Sequence, residues 1–345
     1  MNRMPPSRRR PAAVVAASVM ACLLLLAACG SGAGTSGSGS DSGSDGTPTS
    51  PPAPGDLVAL VASYDLAVGP PARIIVGLQS ADQRIVVYGT VAFRFAYLGT
   101  KDAPVKDPVP GAPVTATYLA IPGTPDPPAG VSVPQLVSGS QARGVYAAPV
   151  TFDTAGFWQV EVAADVEGST KTATAAFGVL DRHVVAAPGG PAPRSNNLTM
   201  DAPADVPRAA IDSRAGSDGT QPIPDPELHA TTVAAALEAG RPVVVVVSTP
   251  VYCVSRFCGP VTDMVQELSH TYGDRAAFVH IEVFRDFQNT VINQAAADWI
   301  YPDRTGGLNE PWVFVVGGDG VVQARFDNVA TRAELEPLIQ ALPPA

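Results

Sequence analysis

Basic residues are scarce in this chain, and they form no cluster beyond the first ten positions. The sequence has 22 Lys and Arg against 32 Asp and Glu, which gives a formal net charge of −10 at pH 7. Proteins that bind nucleic acid concentrate Lys and Arg on one face or one helix. The composition therefore excludes nucleic acid as a partner, and it also argues against electrostatic attraction to anionic lipids.

Cysteine is also scarce, and two of the four cysteines lie close to the N-terminus. Three consecutive arginines end at Arg10, and a charge-free stretch then runs from Pro11 to Ala28. A charged head followed by an apolar core is typical of a secretory signal. The apolar stretch is near the lower limit for spanning a bilayer and ends in small residues. We therefore predict a signal peptide over residues 1–28, whose removal takes away Cys22.

The second cysteine directly follows this stretch. Leu26-Ala27-Ala28-Cys29 resembles the bacterial lipobox, in which cleavage precedes the cysteine and the cysteine is then acylated. The resemblance implies a lipoprotein that is anchored to the cell membrane on its extracytoplasmic face by lipid, such as palmitate, on Cys29. The Gly- and Ser-rich residues 29–55 are then a flexible tether. An ordinary cleaved signal with an incidental cysteine is the alternative.

Residues 56–180 have the pattern of short β-strands separated by Pro and Gly clusters. Trp158, Val160 and Val162 alternate with polar residues and predict one buried face. This pattern predicts an all-β sandwich. Residues 144–158 resemble, loosely, the closing strands of bacterial immunoglobulin-like modules. The region holds no constellation of His, Cys or carboxylates, so its aromatic residues are interpreted as core.

The rest of the chain divides into an extension and a second domain. Residues 181–226 are rich in Pro, Ala, Gly and Asp, and we predict a linker or an extension that lies against the next domain. Residues 227–345 read as alternating helices and strands. Leu228–Ala239 is predicted to be the first helix, and Thr331 with Glu334 forms a capping box that opens the last one.

The order of these elements resembles the thioredoxin fold in its extracytoplasmic form. The strand from Val243 to Val247 runs directly into the segment that contains Cys253 and Cys258. Pro311 directly precedes a strand, where the family keeps a cis-proline beside its active site. The expectation is a multidomain protein, with an N-terminal all-β immunoglobulin-like sandwich and a C-terminal α/β thioredoxin-like fold.

Cys253 and Cys258 are the only cysteines left once Cys22 is removed and Cys29 is acylated. In an oxidising compartment they can pair only with each other. Residues five apart on a continuous helix lie beyond disulfide reach, so we expect Cys253 in a loop and Cys258 near a helix start. The family separates its cysteines by two residues and this chain by four. An alternative register treats Cys258-Gly259-Pro260 as a Cys-Gly-Pro-Cys motif without its second cysteine.

The resemblance implies thiol-disulfide exchange with envelope or secreted proteins, without a cofactor or a metal. Cys253 would be the exposed nucleophile and Cys258 the resolving thiol. Arg256 and the helix N-terminus would favour the Cys253 thiolate, and Pro311 would support the site. One departure from the family is the buried Asp before the cysteines, whose place is taken by Val247.

Two other functions remain open. The pair could be a structural disulfide in a non-catalytic binding or scaffold lipoprotein, although closing so short a loop contributes only roughly 2 kcal/mol. The Sco-type copper chaperones also use two cysteines and a histidine on this fold. His280 and Glu282 lie on one face of their strand, but His280 comes much earlier in the chain than that family's copper ligand. A strand histidine with ordinary hydrogen bonds is the other interpretation.

Overall fold

A computed structural model describes residues 56–125, 127–216, 220–302 and 308–343. The predicted signal peptide, the lipidation site Cys29 and the tether lie outside the described residues. Within those ranges, no helix combines the length and the apolar character that crossing a bilayer requires.

Nine strands between residues 57 and 179 form one antiparallel sheet in the order β6-β3-β2-β7-β5-β4-β8-β9, with β1 paired to β2. The alternation predicted from the sequence is present in β8, where Val160 and Val162 are buried and Glu161 between them is partly exposed. The strands are β1 (Leu57–Val61), β2 (Ala72–Ser80), β3 (Ile85–Val87), β4 (Thr90–Gly99), β5 (Val114–Ala120), β6 (Gln135–Val137), β7 (Gly144–Val150), β8 (Gly156–Val166) and β9 (Ser169–Val179).

A second, four-stranded sheet has the order β11-β10-β14-β15, and only its β10–β11 pair is parallel. Its strands are β10 (Val243–Ser248), β11 (Ala277–Glu282), β14 (Trp312–Val316) and β15 (Val322–Asp327), while β12 (Phe284–Asp286) and β13 (Val291–Ile292) form a hairpin. The helices are α1 (Val233–Glu238), α2 (Cys258–Tyr272), α3 (Gln294–Ile300) and α4 (Arg332–Ala341), and three 3₁₀ helices cover Arg208–Ala210, Ser213–Ala215 and Pro226–His229.

The valine run of β10 is buried on both faces. Val245 and Val247 pack in a core with residues of α1 and α3, whereas Val244 and Val246 pack with residues of α2 and α4. A strand that is covered on both sides needs apolar residues at every position, which explains the continuous run. The cysteine loop follows directly after this central strand.

The expected fold class is wrong. The structure is mostly β, with 35% of residues in strands and 17% in helices. Its largest element is one antiparallel sheet, in place of the two facing sheets of an immunoglobulin-like sandwich. The ladder is continuous because β4, β7 and β8 each pair along both edges. The helices are few and short, and a C-terminal α/β thioredoxin fold is not shown.

Side-chain contacts connect the two sheets. Arg325 on β15 donates a hydrogen bond to Asp65 Oδ2 at 2.7 Å. Arg73 on β2 lies with its Nε 2.8 Å from Glu334 Oε1 at the start of α4. An isolated bridge also pairs Pro191 with Val321, which lies directly before β15. These contacts hold Asp65, after β1, against β15, and β2 against α4.

Candidate functional site

The cysteine loop occupies residues 249–257, between the end of β10 and the start of α2. The Cys253 backbone N–H donates a hydrogen bond to the Thr249 carbonyl at 3.0 Å, which turns the loop. Cys253 and Cys258 form a disulfide, with their Cα atoms 6.0 Å apart. Cys253 lies in the loop and Cys258 is the first residue of α2, so the bent segment expected from the spacing is present.

The two sulfur-bearing residues differ in exposure. Cys258 is fully buried, whereas Cys253 is partly exposed. The Ser255 hydroxyl lies 3.2 Å from Cys253 Sγ. A partner thiol or an alkylating reagent can therefore reach Cys253 before it reaches Cys258.

Arg256 and Pro311 were the two supporting residues predicted from the sequence. The Arg256 side chain is exposed, and its backbone has a left-handed φ of 61°. The polar group that contacts the Cys253 sulfur is the Ser255 hydroxyl. Pro311 is buried directly before β14, and the Glu310–Pro311 peptide bond is cis. The predicted proline therefore lies next to a carboxylate, Glu310.

Glu310 is a site residue that sequence reasoning missed. One of its carboxylate oxygens lies within 4.8 Å of both Cys253 Sγ and Cys258 Sγ. Burial, and then the negative charge of Glu282, raise the pKa of Glu310 to about 7. A carboxyl group with this pKa can give or take a proton at neutral pH. The only available signal was its place before a proline predicted to lie beside the cysteines.

Glu282 is the second carboxylate near this region. It is buried opposite Ser248, and burial raises its pKa. Its Oε2 accepts a hydrogen bond from the Ser213 backbone N–H at 2.9 Å. Val247, which stands at the place of the family's buried Asp, is itself fully buried. The carboxyl group beside the disulfide is thus that of Glu310, which comes from another part of the chain.

A groove of about 720 Å³ opens next to the cysteine loop. Leu60 of β1 lines it on one side, and Val254, Phe257 and Glu310 line it on the other. Leu60 is 70% exposed and Val254 is 94% exposed. Exposed apolar side chains around a groove mark a binding site for apolar ligands. The groove can therefore hold an apolar group next to the cysteine loop.

His280 and Glu282 are both buried on β11. His280 Nε2 lies 3.0 Å from Ser248 Oγ, and His280 Nδ1 lies 3.5 Å from Asp212 Oδ2. Among the described residues, the ligand-type group that contains the two cysteines has Glu310 as its third member. The structure thus does not bring His280 into the two-cysteine, one-histidine set that Sco-type copper binding would use.

Comparison with protein-family models, with curated proteins and with solved structures finds no match to this chain.

Proposed function

We propose that this protein is an extracytoplasmic thiol-disulfide exchange protein that works through Cys253 and Cys258, with Glu310 as the proton-transfer group. One observation carries the proposal. A partly exposed sulfur is bonded to a buried one, and both lie within 4.8 Å of a carboxyl group. The pKa of that carboxyl is about 7, which makes proton transfer efficient at neutral pH.

The exchange begins at the exposed sulfur. A partner thiolate attacks Cys253 Sγ, a bond forms between the partner sulfur and Cys253, and Cys258 leaves as a thiolate. The protonated Glu310 carboxyl gives its proton to Cys258. A second thiolate of the partner then attacks the partner's own sulfur in the mixed disulfide and releases Cys253. The partner dithiol becomes a disulfide, and the cysteine pair takes up the two electrons.

The reverse sequence reduces a partner disulfide. The Cys253 thiolate attacks the partner and releases one partner thiolate. The ionised Glu310 then takes the proton from the Cys258 thiol, whose thiolate attacks Cys253 Sγ and releases the second partner thiolate. The same groups act in both directions, so the reduction potentials of the pair and its partner decide which direction prevails.

The partner class follows from the groove and the predicted location. An apolar polypeptide segment in the groove would contact Leu60 and Val254, which brings a neighbouring thiol or disulfide close to the cysteine loop. Envelope or secreted proteins with thiols or disulfides are the partners that this location offers. The sequence Leu26-Ala27-Ala28-Cys29 supports attachment to the membrane through lipid on Cys29.

A binding or scaffold lipoprotein with a structural disulfide is the second candidate. The complete burial of Cys258 favours it, because a buried sulfur in apolar surroundings is protected from reduction. The two candidates differ in reduction potential. Structural disulfides have potentials below about −300 mV, whereas exchange proteins lie above that value.

The test combines the trapping of mixed disulfides with a measurement of the reduction potential of the Cys253–Cys258 pair. Cys258→Ser should accumulate mixed disulfides with envelope proteins in cells, because the resolving sulfur is absent, and Cys253→Ser should accumulate few. The wild-type pair, equilibrated with glutathione buffers, should show a potential above about −300 mV. A lower potential, together with no trapped partner in either variant, would establish the structural disulfide.

A further inference from the structure

Four ligand-type side chains converge in the interior, apart from the cysteine pair. Asp212, Asp225, His229 and His280 are all fully buried, and one ligand atom from each lies within 4.8 Å of the others. Asp212 caps the 3₁₀ helix Ser213–Ala215, and Asp225 and His229 lie at the two ends of the next 3₁₀ helix. His280 projects from the centre of β11. Three separate segments thus contribute to one buried group.

The spacing of these atoms matches a metal coordination shell. His229 Nε2 lies 3.3 Å from Asp225 Oδ1 and 3.8 Å from Asp212 Oδ2. His280 Nδ1 lies 3.5 Å from Asp212 Oδ2 and 3.6 Å from Asp225 Oδ2. Tetrahedral zinc with bonds of about 2.0–2.2 Å sets its ligands roughly 3.3–3.6 Å apart. A zinc ion can therefore contact all four side chains with only small shifts.

Several of these atoms lack hydrogen bonds. Among the described residues, neither ring nitrogen of His229 has a hydrogen-bond partner, and the same holds for His280 Nδ1 and Asp225 Oδ1. Buried polar atoms are almost always hydrogen-bonded, because an unpaired one costs about 1–3 kcal/mol. Three of these unpaired atoms are among the candidate ligand atoms whose distances are given above: His229 Nε2, His280 Nδ1 and Asp225 Oδ1. A metal ion between them would supply the missing partner.

Surrounding residues hold the side chains in the orientation that a metal requires. His280 Nε2 lies 3.0 Å from Ser248 Oγ, which in turn lies 2.7 Å from Thr262 Oγ1. Donation from Nε2 to Ser248 leaves Nδ1 for the metal, as is usual for ligating histidines. Arg214 Nη2 donates to Oδ2 of Asp212 at 2.7 Å and to Oδ2 of Asp225 at 2.6 Å. The guanidinium orients both carboxylates and leaves Asp225 Oδ1 unpaired.

The formal charges around Arg214 also favour the binding of a divalent cation. Asp212, Asp225 and Asp263 surround Arg214, whose Nη1 donates to Asp263 Oδ1 at 2.9 Å. Asp263 is 63% exposed, whereas Asp212 and Asp225 are fully buried, so two buried carboxylates face one guanidinium. A divalent cation would supply the positive charge that Arg214 alone does not.

We propose that Asp212, Asp225, His229 and His280 form a closed, structural binding site for a divalent transition-metal ion, with zinc as the best match. Two imidazoles and two carboxylates suit zinc, whereas Ca²⁺ and Mg²⁺ prefer oxygen ligands alone. With four protein ligands, no position remains open for a substrate. The metal would fasten Asp212, Asp225 and His229 to β11. Ser213 Oγ accepts a hydrogen bond from the Val251 N–H at 3.2 Å. By holding the neighbouring Asp212, the metal would therefore also stabilise the start of the cysteine loop.

Zinc retention tests the site on the full-length chain, purified in detergent with its disulfide intact so that the cysteines cannot bind metal. After chelator treatment and reloading with zinc chloride, the wild type should keep one zinc per chain through gel filtration. His229→Gln should bind zinc more weakly by at least the roughly 10- to 100-fold typical of lost outer-shell contacts. His270→Gln is the matched control, since His270 is an exposed histidine beside a carboxylate, Glu227, and should bind like the wild type.

A second variant covers the case in which His229→Gln fails to fold. Ser248→Ala keeps all four ligands and removes the hydroxyl that hydrogen-bonds His280 and Thr262, so it should weaken zinc binding roughly 10- to 100-fold. Zinc should also raise the melting temperature of the wild type and of His270→Gln, by less in Ser248→Ala. A wild-type chain that keeps no zinc, or a folded His229→Gln that keeps as much as His270→Gln, would overturn the site. The redox activity of the cysteine pair is measured separately, so the two proposals can fail independently.

Discussion

The Glu310 carboxylate lies within 4.8 Å of the fully buried Cys258 sulfur. Burial and the charge of Glu282 raise the pKa of Glu310 to about 7, whereas an ordinary thiol has a pKa of about 8.5. Glu310 thus changes its charge at a lower pH than an ordinary thiol does. The Cys258 side chain is fully buried, so in the proposed exchange its proton passes through this carboxyl group.

We predict that Glu310→Gln slows the resolving step, in which Cys258 attacks a mixed disulfide on Cys253. The step needs the carboxylate form, so the wild-type rate should rise as pH increases through about 7. In the variant, the pH at which the rate increases should shift towards the ordinary thiol pKa of about 8.5. At pH 7 the variant should be roughly 100-fold slower, the lower end of the range for general base catalysis. Stopped-flow release of a chromogenic thiol from the mixed disulfide measures both quantities.

Glu238→Gln is the control for this measurement, because Glu238 ends α1 on the surface and is exposed. It should leave the rate and the pH profile unchanged. A Glu310→Gln profile that coincides with the wild type would show that Glu310 does not handle the proton.

We predict that Cys253 is alkylated first. After reduction, a limiting amount of iodoacetamide should modify the partly exposed Cys253, because the Cys258 side chain is fully buried. Peptide mass spectrometry assigns the modified residue. Preferential labelling of Cys258 would instead support the register in which Cys258-Gly259-Pro260 carries the reactive cysteine.

Cys29→Ala should release the protein from membranes, because the lipid on Cys29 is the proposed anchor. The variant should appear in the soluble fraction, while Cys22→Ala, which alters only the predicted signal peptide, should remain membrane-bound. Metabolic labelling with a palmitate analogue provides a second readout. Equal membrane fractions for wild type and Cys29→Ala would rule out the lipid anchor.

Local features of this structure could be predicted from the sequence, because they depend on neighbouring residues. The alternation in β8 and the capping box of Thr331 and Glu334 are both present. The predicted helix over Leu228–Ala239 is divided, because the Thr232 side chain accepts the Ala235 N–H and starts α1 there. The fold class was wrong because periodicity identifies strands without specifying which edges pair.

The candidate site, too, could be predicted from the sequence only in part. The pairing of Cys253 with Cys258 could be predicted from the number of cysteines and from the oxidising compartment that the N-terminal sequence predicts. Glu310 is far from them in sequence, and only the folded chain brings it to the disulfide. Asp212 and Asp225 lie in a segment whose Pro-rich composition indicated a linker, so their convergence with His280 depended on contacts that no local pattern reveals.

The contact between Asp65 and Arg325 gives a prediction about stability. Asp65 is buried, and its Oδ2 lies 2.7 Å from Arg325 Nη1 and 3.3 Å from His183 Nδ1. Burial acts to raise the pKa of Asp65, but the contacts with His183 and Arg325 outweigh it and lower the pKa on balance. Asp65→Asn should cost about 3 kcal/mol at pH 7, because it leaves the Arg325 charge without its partner. Urea unfolding at a series of pH values measures this difference.

The lowered pKa of Asp65 determines how the stabilisation changes with pH. A carboxyl group whose pKa is lower in the folded state stabilises the protein fully above its unfolded pKa of about 3.9. That contribution is lost as pH falls through the lower, folded value. The gap between wild type and Asp65→Asn should therefore be constant near neutral pH and shrink below about pH 4. Asp82→Asn removes a carboxylate from an exposed pair with Arg84 and should leave stability unchanged. If the gap for Asp65→Asn were absent at pH 7, or persisted in acid, the contact would not stabilise the fold through its charge.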